Sequence, residues 1–265
     1  TTELRNGEKN YGNSYHVANS NWHTIHYPLS EDMIRTGANI ELENNDDDVY
    51  YNKVYNSTKT RALRDYHNLG VKNLLITKLS KPGITLIDYA CGKAGDLPKW
   101  INSKLKFVLG IDLSKDNIEN RIDGACARYL NYAKKTDIMP DCLFLNGNSS
   151  INLKSGDAFP DMKSKDIFKA IMGEGSKSEI MASKGVHKNY AVGSNGFNIS
   201  SIQFALHYMF ENEEILNNFM KNISECTALN GYFIGTCDNG GKVFNMLKAK
   251  DQNETIALFS EKQKI

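Results

Sequence analysis

The segment Leu86–Trp100, LIDYACGKAGDLPKW, places the strongest constraint on the fold of this chain. It predicts a buried strand at Thr85–Asp88, a tight loop of small residues, and a helix that opens at Asp96. The next predicted strand, FVLGID, ends in Asp112, which lies 20 residues after the loop glycine Gly92. A strand, a glycine-rich turn and an acid at that distance outline a nucleotide-type cofactor site.

The composition of this loop narrows the kind of cofactor. Its pattern from Ala90 to Gly95 is AxGxAG rather than GxGxxG, and no Gly-Lys-Ser/Thr follows it. That points away from dinucleotides and triphosphates and towards an adenosyl cofactor without a pyrophosphate, S-adenosylmethionine. Asp112 is then expected to accept both hydroxyls of the ribose. The alternative is an ordinary strand-to-helix turn that binds no cofactor.

Composition excludes several other classes of protein. The chain has 265 residues, is 40% hydrophobic and carries a formal net charge of +1, so any contact with RNA must be a local patch. The five cysteines include no CxxC pair, which favours reduced thiols, and no His or Cys spacing suggests a metal. No run approaches the roughly 20 apolar residues of a membrane span.

Strand and helix patterns alternate along the chain, which indicates an α/β fold with a doubly wound, mostly parallel sheet. A helical pattern covers residues 58–79, and strands are predicted at CLFLNG, FNISSIQFA and GYFIGTC. One helix is expected after the N-cap Ser114, with Ile118, Ile122, Ala125, Tyr129 and Tyr132 on one face. Another is expected at 212–229, and residues 150–195 are predicted to be irregular.

Two regions are expected. Residues 1–57, rich in Asn, Tyr and acids, form an N-terminal accessory arm, and residues 58–265 form the main domain. Only five strands are evident, and a fold of this kind usually closes its sheet with a further antiparallel pair. Either the domain is truncated or it depends on sequence beyond this chain.

Four segments, in order, resemble the messenger-RNA cap guanine-N7 methyltransferases. The family pattern DxGCGxGGDLxKW stands here as DYACGKAGDLPKW, with Ala90 and Ala94 in place of glycine. QFxxHYxFE stands as QFALHYMFE, and LxxGGYFIGT as ALNGYFIGT. RNFNNWxKxxLI stands as RDYHNLGVKNLLI, with one inserted residue. The flanking segments are most similar to the C-terminal methyltransferase domain of multifunctional capping enzymes in large DNA viruses of the African swine fever virus type.

The resemblance implies the class I, Rossmann-like fold of S-adenosylmethionine-dependent methyltransferases, with S-adenosylhomocysteine as product. Lys72 would reach the methionine carboxylate of the cofactor, and Asn148 replaces the acid that meets the adenine edge. The role of Asp88, as a structural acid or an indirect partner, stays open. The cofactor-binding residues implied are Lys72, Asp88, Ala90, Gly92, Asp112, Asn148, Ser149, Gln203 and Tyr208.

The resemblance also implies a cap-binding side. His207 and Tyr208 would orient the guanine, without any residue acting as acid or base. Phe204 is either a core aromatic or a stacking partner of the cap, and the other implied substrate residues are Asn68, Lys93, Lys99 and Arg128. The family's late glutamate, which holds the guanine edge, has no match before Ile265.

The expected reaction converts GpppN-RNA to m7GpppN-RNA. Two alternatives stay open: a 2′-O-methyltransferase, and a weak or inactive cofactor-binding scaffold of a capping complex. Expected partners are the capped RNA 5′ end, triphosphatase and guanylyltransferase domains of the same polypeptide, and a stimulatory subunit. No membrane association is expected, and a viral protein of this kind would work in the host cytoplasm or the virion.

Overall fold

The computed structural model describes residues 61–175, 177 and 184–248, together with Trp22 and Ile25. The chain divides into two compact units, residues 1–48 and 49–265. The predicted accessory arm lies almost entirely outside the described residues. Residues 249–265, where a match to the family's late glutamate was sought, also lie outside the described residues, as do residues 176 and 178–183 of the stretch predicted to be irregular.

The described part of the second unit is built around five strands. They are β1 (Thr85–Asp88), β2 (Phe107–Asp112), β3 (Asp141–Asn146), β4 (Phe197–Gln203) and β5 (Thr227–Thr236). The helices are α1 (Arg61–Asp65), α2 (Lys72–Leu79), α3 (Leu97–Asn102), α4 (Lys115–Glu119), α5 (Ala125–Ala133), α6 (Met162–Met172), α7 (Lys184–Lys188), α8 (Glu213–Cys226) and α9 (Gly240–Leu247). A π-helical turn at Tyr66–Val71 joins α1 to α2, and 3₁₀ turns lie at Leu153–Ser155 and Leu206–Phe210.

All four pairings in the sheet are parallel, and the strand order is β3-β2-β1-β4-β5. The order reverses between β1 and β4, which is the switch point where folds of this kind place their ligands. The predicted doubly wound parallel sheet is therefore confirmed.

Hydrophobic side chains cover both faces of the sheet. Leu86 and Val108 belong to a core with α2, α3 and α4, whereas their chain neighbours Ile87 and Leu109 belong to a second core with α6 and α8. Successive residues of a strand point to opposite faces, so one short apolar run can supply both cores. Such packing fixes the carboxyl ends of the strands, where the loops carry the candidate site.

The prediction of a single helix after Ser114 is wrong. The structure has α4 and α5 separated by a turn, in which the Asn120 side chain accepts hydrogen bonds from the backbone N–H groups of Ile122 and Asp123 at 3.0 and 3.3 Å. Ile118 and Ala125 are buried as expected, but Ile122 is 73% exposed. Such side-chain-to-backbone hydrogen bonds of asparagine compete with the backbone hydrogen bonds of a helix, and they interrupt the helix here.

Two further boundaries differ from the sequence-based expectation. Residues 162–172, expected to be irregular, form α6, which Asp161 caps by accepting a hydrogen bond from the Ser164 N–H at 2.8 Å. The helix expected to reach Leu229 ends at Cys226, because Thr227 already pairs with Phe197 in the sheet. Asn230 and Gly231, which follow the expected end of that helix, lie within β5, where its pairing with β4 shifts register.

Candidate functional site

The loop after β1 folds back onto the end of β2. The Cys91 N–H donates to the Ile111 carbonyl at 3.0 Å, and the Gly92 N–H donates to the Asp112 carboxylate at 2.7 Å. Gly92 has φ +53°, a conformation that glycine adopts without a steric penalty. The loop therefore presents bare backbone beside an acid, as the sequence predicts.

The two alanines that replace family glycines differ in strain. Ala94 has φ +52° and is fully buried in the core beneath the loop. The left-handed region costs a residue with a Cβ roughly 1–2 kcal/mol. Ala90 has no positive φ, and its N–H donates to the Asp88 carboxylate at 3.2 Å. Alanine in place of glycine at position 90 thus adds a methyl group without backbone strain. At position 94 the alanine backbone is strained, and the packing around the buried methyl group keeps it in this conformation.

Asp112 is the hydrogen-bonding centre of the site. One carboxylate oxygen accepts from the Ser114 N–H at 3.0 Å and from the Asn117 side-chain amide at 2.9 Å, and the other accepts from Gly92. A carboxylate offers about four acceptor positions, so one remains, on the oxygen that faces Gly92. In this arrangement Asp112 keeps one acceptor position for a ligand hydroxyl.

Asp88 lies at the end of β1 and is 2% exposed. Burial, and next the nearby carboxylate of Asp96, raise the pKa of Asp88 to about 7, although the Ala90 N–H and Lys72 act in the opposite direction. The carboxyl group of Asp88 therefore binds a proton more readily than an ordinary aspartate does. Sequence reasoning did not anticipate a titrating acid under the cofactor loop.

Asp96 joins two of the predicted site lysines. Its oxygens lie 2.7 Å from the Lys99 Nζ and 3.4 Å from the Lys72 Nζ, and all three side chains are largely buried. Lys99 is thus not a solvated surface charge, and its ammonium group is neutralised within the protein. Asp96 was not predicted as a site residue, although its place at the helix N-cap, three residues before a lysine, was a usable signal.

The π-helical turn explains the inserted residue upstream of Lys72. The Lys72 N–H donates to the His67 carbonyl, five residues back, so the extra residue is absorbed within one widened turn. π-turns of this kind are frequent at functional sites. Lys72 is thereby brought to Asp96 and lies 5.2 Å from the centre of the Phe204 ring, while His67 packs edge-on against the same ring at 4.8 Å.

Phe204 occupies a strained position at the end of β4. Its φ is +60°, which is unusual for a bulky residue, and its N–H donates to both the carbonyl and the hydroxyl of Thr236. The same hydroxyl donates to the Gln203 side chain at 3.1 Å. These contacts fix Gln203 and Phe204, both predicted site residues, and of the two Phe204 lies beside Lys72.

The 3₁₀ turn that follows carries the predicted orienting pair. The rings of His207 and Tyr208 lie 4.2 Å apart, and both residues are exposed, Tyr208 to 48%. Their neighbour Met209 is buried and anchors the turn to the core. The pair therefore projects from a fixed support at the edge of the site.

The loop after β3 is hydrogen-bonded to the loop after β1. The buried Ser149 hydroxyl donates to the Tyr89 carbonyl at 2.7 Å. Asn222, fully buried on α8, donates to the Ser149 and Ile151 carbonyls at 2.9 and 2.8 Å. Asn148 is thus held beside the β1 and β2 ends.

Lys93 is engaged by two acids that sequence reasoning did not connect with it. Its Nζ lies 2.8 Å from Asp123 and 3.3 Å from Asp116. Arg128 lies on α5 and is half-buried, and Asn68 lies in the π-turn. A phosphate that approached Lys93 would have to compete with both carboxylates.

Other chemistries find little support in the described part of the chain. Cys91 is buried, and burial raises the pKa of its thiol well above the ordinary value, which disfavours a nucleophilic thiolate. Within residues 61–175, 177 and 184–248 no cluster of three metal-ligating side chains is present. No helix in the same residues is long and apolar enough to cross a membrane.

A comparison of the sequence with models of known protein families identifies the family. The sequence model of the mRNA (guanine-N(7))-methyltransferase domain matches residues 43–257. The chain belongs to this family. The predicted membership is confirmed, and with it S-adenosylmethionine as the cofactor of this methyltransferase domain. The backbone at Gly92, the acceptor position left on Asp112 and the Lys72 ammonium group are the groups that could hold the ribose and carboxylate of this cofactor.

Curated proteins that are similar in sequence to this domain are named as mRNA-capping enzymes or cap methyltransferases. A probable mRNA-capping enzyme of Acanthamoeba polyphaga mimivirus is 29% identical, over 95% of this chain and 21% of its own length. An mRNA cap guanine-N(7) methyltransferase of Aspergillus niger is 29% identical over 76% of this chain and 32% of its own. One from Oryza sativa subsp. japonica is 26% identical over 71% of this chain and 42% of its own. The chain thus spans less than half the length of these relatives.

Proposed function

We propose that this domain transfers a methyl group from S-adenosylmethionine to N7 of the guanine cap of mRNA, giving m7GpppN-RNA from GpppN-RNA. The observation that carries the proposal is the family match across residues 43–257, which spans all the loops at the carboxyl edge of the sheet. The described geometry supports it, because the predicted cofactor residues gather at that edge.

The chemistry needs no general base. Guanine N7 already carries an in-plane lone pair and has no proton to lose, and the cofactor supplies an electrophilic methyl group. The task of the protein is therefore to align two bound molecules, which can contribute on the order of 7–11 kcal/mol to lowering the barrier. His207 and Tyr208 serve orientation in this proposal, not proton transfer.

Residues on two sides divide the work. Asp112 and Lys72 hold the ribose and the methionine carboxylate, and Gly92 allows close approach of the backbone. Phe204, fixed by Thr236, offers an aromatic surface to the guanine.

The cap phosphates meet a crowded set of charges. Asn68, Lys93, Lys99 and Arg128 remain the proposed contacts on the substrate side. We place the stronger phosphate contact at Lys93 rather than Lys99, because Asp116 and Asp123 beside Lys93 are each one third exposed and can be exchanged for phosphate oxygens, whereas the Asp96 carboxylate that holds Lys99 is buried.

The mimivirus relative is much longer than this chain, which supports a place for this domain in a longer polypeptide. We propose that this domain acts within a longer capping polypeptide that also carries triphosphatase and guanylyltransferase activities, with a stimulatory subunit, and that it works in the host cytoplasm or the virion. The share of that relative matched, 21%, leaves room for such domains.

The test is methyl transfer from labelled S-adenosylmethionine to GpppA-capped RNA, with the product identified by nuclease digestion. Wild type should give m7GpppA, and Asp112→Ala should lose it. Asp137→Ala is the matched control, because this acid is exposed and lies between α5 and β3.

Other outcomes would assign a different role. Label on the ribose would identify a 2′-O-methyltransferase, a reaction that needs a base to deprotonate the hydroxyl. Cofactor binding without transfer to any capped RNA would identify a scaffold.

A further inference from the structure

The amide of Asn148 is locked by the residue two positions later. Its side-chain oxygen accepts from the Ser150 N–H at 2.9 Å and also from the Ser150 hydroxyl. A carbonyl oxygen has two lone pairs, so this oxygen is saturated. The backbone N–H of Ser150 also settles which amide atom is which, since an NH₂ group there would face another donor.

The nitrogen of the same amide is differently placed. Asn148 is half-buried, and its side-chain hydrogen bonds within the described residues are both at the oxygen. Its Nδ2 is not among the fully buried polar atoms without a partner, so it is accessible to a ligand. The backbone is fixed as well, because the Asn148 N–H donates to the Ala158 carbonyl at 2.8 Å and its carbonyl accepts from the Ile151 N–H at 3.1 Å. Asn148 therefore offers donors and no acceptor to a ligand.

The topology places this donor next to the base of an adenosyl group. Asp112 ends β2, and β3 is the neighbouring strand on the outer side of the sheet. The Gly147 N–H donates to the Asp112 carbonyl at 2.9 Å, so the residue before Asn148 touches the proposed ribose acceptor. With the methionine end towards β4 and Lys72, the base must extend the other way, over the loop after β3.

We infer that Asn148 recognises adenine by donating its amide N–H to a ring nitrogen, and that it does not accept a hydrogen bond from the 6-amino group. The inference rests on the proposed function, because it takes the adenosyl cofactor as given. An aspartate at this position would behave differently. One oxygen would keep both Ser150 bonds, and the other would accept from the amino group.

The experiment measures dissociation constants of S-adenosylhomocysteine and of its 6-deamino analogue, using the full chain and the variants Asn148→Ala and Asn148→Asp. Removing the amino group should weaken binding by the same factor, within threefold, in wild type and in Asn148→Ala. In Asn148→Asp the loss should be at least tenfold larger, since a hydrogen bond to a charged group contributes about 1.5–3 kcal/mol.

A second set of probes identifies the ring atom. Among the 1-, 3- and 7-deaza analogues of S-adenosylhomocysteine, one should bind wild type at least threefold more weakly than the parent, and Asn148→Ala should abolish that difference. Thermal unfolding of each variant checks that the fold is kept, which the preserved Ser150 contacts favour for Asn148→Asp.

Each contrary result has a defined meaning. An amino-group effect that is threefold or more larger in wild type than in Asn148→Ala would overturn the inference, as would deaza analogues whose binding is insensitive to Asn148→Ala. No binding of S-adenosylhomocysteine at all would overturn the cofactor pocket, and the inference with it. Binding without methyl transfer would count against the proposed function alone.

Discussion

The N–H of Phe204 donates to two atoms of Thr236, the carbonyl at 2.9 Å and the hydroxyl at 3.0 Å. A bulky residue with φ +60° persists only where its surroundings over-determine it. The same hydroxyl donates to Gln203, so one side chain of β5 fixes both a residue on the cofactor side and a residue on the proposed guanine side.

Thr236→Val should therefore reduce kcat/KM about fivefold to twentyfold, because the isosteric change leaves Gln203 without its donor, a loss of about 1–2 kcal/mol. Thr236→Ser keeps the hydroxyl and should restore activity. Steady-state kinetics with varied cofactor and varied cap would measure both. Thr77→Val, which removes an exposed helix hydroxyl, is the control. Equal losses for Val and Ser would show that the hydroxyl does not act.

Much of the sheet could be predicted from sequence because short apolar runs end at polar or glycine-containing loops. Thr85–Asp88 and Phe107–Asp112 match the structure to the residue. The turn at Asn120 could not be read from the helical spacing of apolar residues, since its cause is a side chain that bonds to nearby backbone. α6 did carry a signal, an aspartate N-cap before apolar residues at helical spacing, and was overlooked.

In the site, the positions of the loop and of Asp112 could be predicted from motif spacing. The ion pairs that the site lysines form could not. The ion pairs of Lys93 and Lys99 depend on which acids the fold brings near them, and no sequence period encodes that. The strained φ of Phe204 is likewise a tertiary effect, because the Thr236 atoms that hold it lie 32 residues away in the chain.

The two loop alanines predict unequal responses to glycine. Ala90→Gly should destabilise the fold by about 0.5–1 kcal/mol through the added freedom of the unfolded chain. Ala94→Gly should change stability by less than about 0.5 kcal/mol, because relief of the φ +52° strain offsets that entropy and the lost methyl contact. Urea unfolding of the two variants would measure the contrast. A larger loss for Ala94→Gly would show that its backbone is not strained.

The pKa of Asp88, about 7 in the folded state, predicts a pH dependence of stability. The folded protein holds a proton that the unfolded chain releases near pH 4. Stability from this group is thus full below pH 4 and is lost as the pH rises to 7, by at most about 1.4 kcal/mol per pH unit. Asp88→Asn should remove this slope. Urea unfolding at pH 4–8 would test it, and parallel curves for both proteins would contradict it.

The acids around Lys93 should compete with the cap phosphates. Asp123→Asn removes the carboxylate 2.8 Å from the Lys93 Nζ, and affinity for GpppA should rise about twofold to fivefold. The gain should shrink with added salt, because screening weakens both interactions. Titration of a fluorescent cap analogue would measure it, with Asp137→Asn as control. Unchanged affinity would remove Lys93 from the phosphate contacts.

The π-turn predicts that one specific deletion is tolerated. Removing Gly70 shortens the turn to α-helical spacing, and everything from Lys72 onward keeps its register with the sheet. Binding of S-adenosylhomocysteine should then stay within about threefold of wild type, by the same reasoning that lets a helix absorb a π-bulge. Deleting Lys78, an exposed residue of α2, is the matched control, since it rotates Lys72 by about 100° away from Asp96. That variant should lose binding at least tenfold in calorimetric titration, and equal effects of the two deletions would refute the register argument.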